Sequence, residues 1–483
     1  MALNPSRCTV VWFRQDLRLS DHAALRAAVR RGPVVPVFIW SPEEEGCWPP
    51  GAASRWWLHQ SLARLSESLR RVGSRLILRP GPTLAALSAL VQQTGATAVY
   101  WSRRYEPAAR RLEEQVQKSL HQRGVAAEGF AGALLFDPDR IRTQARRPYQ
   151  VFSGFWRRCR QEPEPGRPRP APRVIHAPAR WPASVELGDF GLEPAIDWAG
   201  GFRRFWEPGE EGARKRLRWF AAEGLATYAS DRDLPDRDGT SRLSPHLHFG
   251  EISPRQVWAA IQQRARSEGS FEAADCYLSE LAWREFAHYL LVHFPEAADR
   301  PLRPEFDRFP WSTDPRLLRA WQRGRTGYPI VDAGMRQLWQ TGWMHNRVRM
   351  IVASFLAKDL LIPWQTGAAW FWDTLVDADL ANNTVGWQWA AGCGADAAPF
   401  FRIFNPVRQG ERFDPQGAYV RRWVPELAGL PARWIHRPWI APPSVQRDAG
   451  LRLGVTYPKP IVDHAEARLR ALAAFRSLAE SPG

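Results

Sequence analysis

Several short stretches of this chain combine groups of unlike chemistry at close, regular spacing. In "LSELAWREF" (278–286), Glu280, Trp283 and Arg284 fall at i, i+3 and i+4, one face of one helix. A carboxylate and a guanidinium bracketing an indole can be an ion pair over a core tryptophan, or the wall of a polar cavity. In "GWMHNRVRMIVASFL" (342–356), Asn346, Arg349 and Met350 share a face in the same way, followed by the apolar Ala353. That pattern fits a half-polar cavity wall, or a buried salt bridge at Arg349; Arg347 points roughly a quarter turn away. In "LVDADLANNTVGWQW" (375–389), Asp377 and Asp379 bracket an alanine, as at a helix end or as paired acceptors for a polar ligand. A metal would need more oxygen ligands than this stretch supplies. The loop "DGTSRLSPHLHFGEISP" (238–254) is rich in hydroxyls and small residues and opens a helix, so its amides with Thr240, Ser241 and Ser244 suit a phosphate or pyrophosphate. Trp387 and Trp389 flank a single glutamine. Two residues is about 200° around a helix, so the two indoles cannot serve the same side; they are two unrelated core packers, or two side chains with different tasks.

The elements that must position these groups are legible in the periodicity. Residues 8–130 alternate β-rich runs, "CTVVWF" (8–13), "VVPVFIW" (34–40), "RLILRP" (75–80), "ATAVYW" (96–101) and a run near "GVAAEGF" (124–130), with amphipathic stretches such as 54–73. This βαβα order predicts an α/β domain with a parallel sheet covered by helices on both faces, over 1–135. Residues 136–204 read as a connection, with seven prolines between 161 and 182. From 205 to 483 the pattern is almost wholly helical, with runs at 210–228, 253–269, 273–294, 332–361 and 368–383. "GCGADA" (392–397) matches GxGxxA superficially, but no strand precedes it, so it reads as a turn.

Composition narrows the partners. The net charge is +16, carried by 62 arginines and only four lysines. An excess of that size favours a polyanion, nucleic acid ahead of a membrane surface. The 25 tryptophans are scattered, so most must be core packing and any chemical role belongs to named individuals. The five cysteines include no CxxC pair, which predicts neither a zinc site nor a disulfide framework and fits a reducing, cytoplasmic setting. The N-terminus lacks a signal-peptide pattern, and no 18-residue apolar run occurs, so no membrane span is expected.

Taken in order, "VWFRQDLRLSDHAAL" (11–25), "GTSRLS", "WREF", "TGYPIVDAGMRQL" (326–338), "TGWMHNR", "DADL…NN…GWQW" and "DAAPFFRIFNP" (396–406) resemble the photolyase/cryptochrome flavoprotein family, across nearly 400 residues. The resemblance implies a Rossmann-like antenna domain followed by a large all-α domain holding FAD. The positions matching the flavin pocket are Tyr228, Thr240, Ser241, Arg242, Leu243, Ser244, Tyr277, Glu280, Arg284, Arg349, Asp377, Asp379 and Asn383. It assigns the phosphates to the hydroxyl loop and Arg284, adenosine or ribityl groups to Asp379, and an ion pair against the ring to Arg349 and Asp377. Asn383 matches the position beside flavin N5.

The activity implied is light-driven, redox-neutral electron transfer from FAD to a cyclobutane pyrimidine dimer flipped out of DNA. The matching lesion contacts are Glu280, Trp283, Asn346, Met350 and Trp389, with Arg232, Arg347, Arg402 and Gln409 near the DNA backbone. Trp387, Trp364 and Trp311 match the family's photoreduction chain, although core packing also explains the last two. Plant cryptochromes carry aspartate where this chain has Asn383, and (6-4) photolyases carry histidines at Asn346 and Met350. The single-strand-preferring branch usually has glutamine at Met350, and iron–sulfur relatives need four matching cysteines. The family's signalling members often carry long C-terminal tails, and the short stretch after "PIVDHAEARLRALAAF" leads us to expect none here. These departures favour dimer repair, with a blue-light receptor binding FAD without repair as the alternative; the protein is expected to act as a monomer. An antenna pigment, methenyltetrahydrofolate or a deazaflavin, is also implied. One folate pattern is broken, because Ala108 and Ala109 follow "YEP" where that pattern has asparagine and glutamate. "SRWWLHQSL" resembles plant-cryptochrome-like relatives, so the antenna identity stays open.

Overall fold

Strands β1 (Thr9–Phe13), β2 (Val34–Trp40), β3 (Ile77–Pro80), β4 (Ala98–Ser102) and β5 (Ala126–Phe130) form one parallel sheet in the order β3-β2-β1-β4-β5. They were located in a computed structural model that describes residues 8–396 and 401–480. Four of the motif residues quoted above, 397–400, lie outside the described residues. Helices α1 (Ala23–Arg31), α2 (Ala52–Arg71), α3 (Thr83–Thr94) and α4 (Pro107–Gln122) connect the strands. The sheet's apolar runs are continuous because both faces are buried. Val11, Phe13, Val34 and Phe38 enter one core, and Val10, Trp12, Val35 and Val37 the other, the two-residue alternation of a strand. Order 3-2-1-4-5 is a doubly wound arrangement with the strand order reversing beside β1.

Among the described residues, the remaining regular structure is helical apart from one isolated bridge between Leu453 and Tyr457, and the helical runs are cut more finely than the periodicity suggests. The run 332–361 is two helices, Pro329–Thr341 and Asn346–Ser354, the second continuing as a π-turn over Phe355–Asp359. Gly342 adopts φ 66° and ends the first, while the His345 ring accepts from the Arg347 amide and starts the second. The run 368–383 likewise divides into Trp364–Thr374 and Leu380–Ala391. Asp377 and Asp379 lie in the non-helical connection between those two. Residues 136–204, read as a connection, contain the helix Phe152–Cys159 and run into a second, Gly200–Phe205.

Contacts divide the chain into two compact units that do not follow chain order. The first takes the residues through Ala226, Ser241–Pro295 and Val376–Asp379; the second takes Thr227–Thr240, Glu296–Leu375 and Leu380 onward. Among the described residues, no helix is long and apolar enough to cross a membrane.

Candidate functional site

In the first unit, the helix Phe271–His293 separates its faces cleanly. Leu278, Leu281, Ala282, Glu285 and Phe286 are buried, whereas Glu280, Trp283 and Arg284 are half-buried. The Glu280 face is therefore neither core nor open surface, which favours a cavity wall over a core tryptophan. Trp283 lies flat on Phe152, ring centroids 3.9 Å apart and planes 8° from parallel, and edge-on to Phe286. One indole face is thus covered by protein. Tyr277 is buried on the preceding turn, and burial pushes its hydroxyl up to about 12, with a Ser241 hydrogen bond opposing.

Ser241 belongs to the hydroxyl loop. Its carbonyl accepts from Arg216 Nε at 2.8 Å, and its neighbour Arg242 has φ 49°. A left-handed backbone at a residue with a Cβ costs on the order of 1–2 kcal/mol and collects at ligand clamps. Leu243 is buried, and exposed Ser244 opens the short helix Ser244–His248. Arg284 Nη1 donates to the Ala133 carbonyl at 2.9 Å and lies 3.5 Å from Glu285. Glu285 in turn accepts from the amides of Leu135 and Phe136.

Asp379, expected as an acceptor for FAD, is a buried anion held by two imidazoles, His288 at 3.3 Å and His248 at 3.7 Å. Burial alone would raise its pKa. The charge of His288 first, with His248 beside it, overcomes burial and holds the carboxyl well below the usual range. For His288, burial works to lower the pKa, and Asp379 reverses this and raises it. Arg284, His248, His288 and Asp379 line one small cleft with Arg18 and Glu106. His288 was findable in sequence as the residue one turn after Arg284; His248 depends on a contact that spacing does not reveal.

In the second unit, Asn346 is exposed at the start of its helix and Met350 is half-buried one turn on. Arg347, matched to the DNA backbone, is anchored. Its Nη2 and Nε lie 2.7 and 3.2 Å from Asp233 Oδ1, and its guanidinium sits 4.6 Å above the Phe413 ring. Phe413 ends the helix Pro406–Phe413 that carries half-buried Gln409. Arg349 Nε donates to the Met344 carbonyl at 2.7 Å. Arg232 stacks over buried Tyr228 at 5.3 Å, and Thr240 is half-buried.

The helix Leu380–Ala391 sets the remaining groups. Trp387 is buried, 5.0 Å from Phe371 and 6.2 Å from Trp321, and among the described residues its Nε1 has no hydrogen-bond partner. It rests on the bare backbone of Gly367, where a Cβ would come within 2.1 Å of its ring. Gly367 is one turn along from buried Trp364 in the helix Trp364–Thr374. Trp311 is half-buried against Phe309 at 4.4 Å. Trp389 is half-buried, its ring 6.3 Å from Phe404, over which exposed Arg402 stacks at 5.0 Å. Between the two tryptophans, Gln388 is a staple: its amide donates to the carbonyls of Ala297 and Arg300 and accepts from Leu302 N–H. Phe152, Gln388 and Phe404 gave no signal in the spacing.

The residues fit a flavin. Asn383 Nδ2 donates to the Ala368 carbonyl at 3.0 Å, which fixes the amide rotation, and a Cβ on Gly386, one turn further, would meet nothing within 4 Å. A glycine in a helix interior costs roughly 1 kcal/mol, and packing within the protein does not require this one. Open space beside an oriented neutral amide suits a planar ring.

Comparison with known proteins agrees. Residues 9–173 match the family model described as DNA photolyase, and residues 277–477 the FAD binding domain of DNA photolyase. Over 471 residues the chain is 50% identical to a deoxyribodipyrimidine photo-lyase of Agrobacterium fabrum, covering 97% of this chain and 98% of that one. It is 43% identical to Cryptochrome-2 of Arabidopsis thaliana, covering 95% and 77%. A crystal structure of a bacterial class III photolyase from Agrobacterium tumefaciens superposes with a TM-score of 0.96 at 48% identity, covering 100% and 99%. The chain belongs to the photolyase/cryptochrome family. Its fold is the one the sequence led us to expect, a parallel-sheet domain followed by a helical FAD-binding domain.

Proposed function

We propose that this protein repairs cyclobutane pyrimidine dimers in DNA under light, as a deoxyribodipyrimidine photo-lyase. The observation that carries the reading is one helix, Leu380–Ala391, which presents an oriented neutral amide at Asn383, a buried indole at Trp387 and a half-exposed indole at Trp389. FAD would be held through its phosphates by the Thr240–Ser244 loop and Arg284. Tyr228, Tyr277, Arg349, Asp377, Asp379 and Asn383 would contact its other polar groups. When bound and reduced, FAD supplies the light-driven electron that splits the cyclobutane ring and takes it back afterwards.

The protein's own groups do the rest. Glu280 would stabilise the negative charge that accumulates on a dimer carbonyl by donating a carboxyl proton to that oxygen. Because Phe152 covers one face of Trp283, only the other face can receive a pyrimidine. Trp389 supplies a second apolar wall, and Asn346 and Met350 complete the contacts. Arg232, Arg347, Arg402 and Gln409 contact the backbone, where a guanidinium forks onto phosphate. Trp387, Trp364 and Trp311 relay electrons that regenerate the reduced cofactor. A second pigment, folate or deazaflavin, would occupy the sheet domain. The asparagine at 383, where plant cryptochromes have aspartate, favours repair over signalling.

The test is substrate discrimination. Reduced protein in blue light is expected to restore oligonucleotides carrying a thymine cyclobutane dimer and to leave (6-4) lesions intact. Loss of (6-4) lesions alone would overturn the assignment.

A further inference from the structure

Lys358 lies in the π-turn Phe355–Asp359 and is 3% exposed, an unusual place for one of only four lysines. Its ammonium donates to the Arg402 carbonyl and sits 4.3 Å from the centre of the Phe401 ring. One turn earlier, Ser354 Oγ accepts from the Phe404 amide at 3.3 Å. Phe401 is further clamped by Phe475, stacked at 4.6 Å and 8°. The helix end thus grips the segment 401–404 at both ends. That segment matters because Arg402 projects from it over Phe404, and Phe404 backs Trp389. Lys358, Arg402, Phe404 and Trp389 line one cleft.

We propose that Lys358 is a positioning residue for damaged DNA: its ammonium fixes the Phe401–Phe404 segment so that Arg402 and Trp389 are set before the lesion arrives. This rests on the repair reading above. Preorganisation of this kind raises affinity by removing an ordering cost at binding. A buried lysine also titrates within reach of neutral pH. Burial pushes the ammonium down to about 7, with Asp359 opposing and Arg402 assisting. Among the described residues, the surrounding charges are few. The Cys393 thiol is itself pushed up to about 12 by burial and is neutral. Asp359 is engaged by His464 at 2.5 Å, and its carbonyl accepts from Arg470. Arg303 and Arg402 are the other cations on the cleft. Loss of the Lys358 proton leaves a donor for the carbonyl but removes the charge held over Phe401.

The experiment is dark binding of oligonucleotides with and without one thymine dimer. Wild-type holoprotein, Lys358→Gln and Lys358→Met are compared at constant ionic strength from about pH 6 to about pH 8.5. Wild type is expected to lose roughly five-fold in affinity for the damaged strand across that range. Lys358→Gln, a donor that cannot titrate, is expected to bind more weakly than wild type at the acid end and to lack the step. Lys358→Met is expected to be weaker still, the deficit being larger for damaged than for undamaged strand. Variant curves that coincide with or run parallel to wild type overturn the role of Lys358 alone. Wild type that binds damaged and undamaged strands equally at every pH overturns the repair reading, and this proposal with it. Should Lys358→Met fail to retain flavin, the wild-type step and the Gln variant decide.

Discussion

Trp387 and Trp389 are two residues apart, yet they live in different surroundings. Trp387 is enclosed by Phe371, Trp321 and the bare backbone of Gly367, while Trp389 stands half-exposed beside Phe404. Gln388 locks the turn between them through three backbone hydrogen bonds, so neither indole can swing to the other's side. The proposed division of labour follows from this geometry: the buried ring for electron relay, the exposed ring for the lesion. Trp387→Phe is therefore expected to slow photoreduction of the oxidised protein by at least ten-fold while sparing repair by protein reduced beforehand. Transient absorption and a dimer-loss assay check the two halves separately. Equal collapse of both would mean that Trp387 serves binding or folding instead. The spacing in the sequence showed that the two rings must diverge; it did not show which one is buried, because that depends on a helix twenty residues upstream.

At the scale of elements, the contrast between two glycines is informative. Gly367 is needed by the fold, because a Cβ there would lie 2.1 Å from the Trp387 ring. Gly367→Ala is expected to cost about 1–3 kcal/mol, the usual range for overpacking, seen as a lower thermal midpoint. Gly386 is not needed by the fold, so Gly386→Ala is expected to keep or slightly raise the stability of the flavin-free protein, while lowering flavin content after purification. Unchanged flavin content would remove the argument that this open space accommodates a ring. The strands were readable because burial on both sheet faces leaves uninterrupted β-branched and aromatic runs, as in "VVPVFIW". Where the long helical runs break was not readable from periodicity. Apolar spacing continues across Gly342 and across 375–379, whereas capping by Gly342 and His345 ends one helix and begins the next. His288 follows Arg284 by one turn and could have been found, but its pairing with Asp379, and that of His248, joins residues remote in sequence.

For the whole molecule, the +16 charge favours a polyanionic partner, and the partner proposed above is DNA. Basic side chains that neutralise phosphates release counterions, so binding should fall as salt rises, with a log–log slope near −0.9 per phosphate contacted. Removing Arg402 or Arg347, each proposed to meet the backbone, is expected to flatten that slope by about one unit. A slope unaltered by either substitution would place the backbone elsewhere on the surface. Repair itself is read from one quantity: the number of thymine dimers remaining in an oligonucleotide after incubation with reduced, flavin-loaded protein, in blue light and in darkness. Progressive, multiple-turnover loss of dimers is expected in light and none in the dark. Dimers that persist in light, although flavin is bound and reduced, would contradict the repair reading.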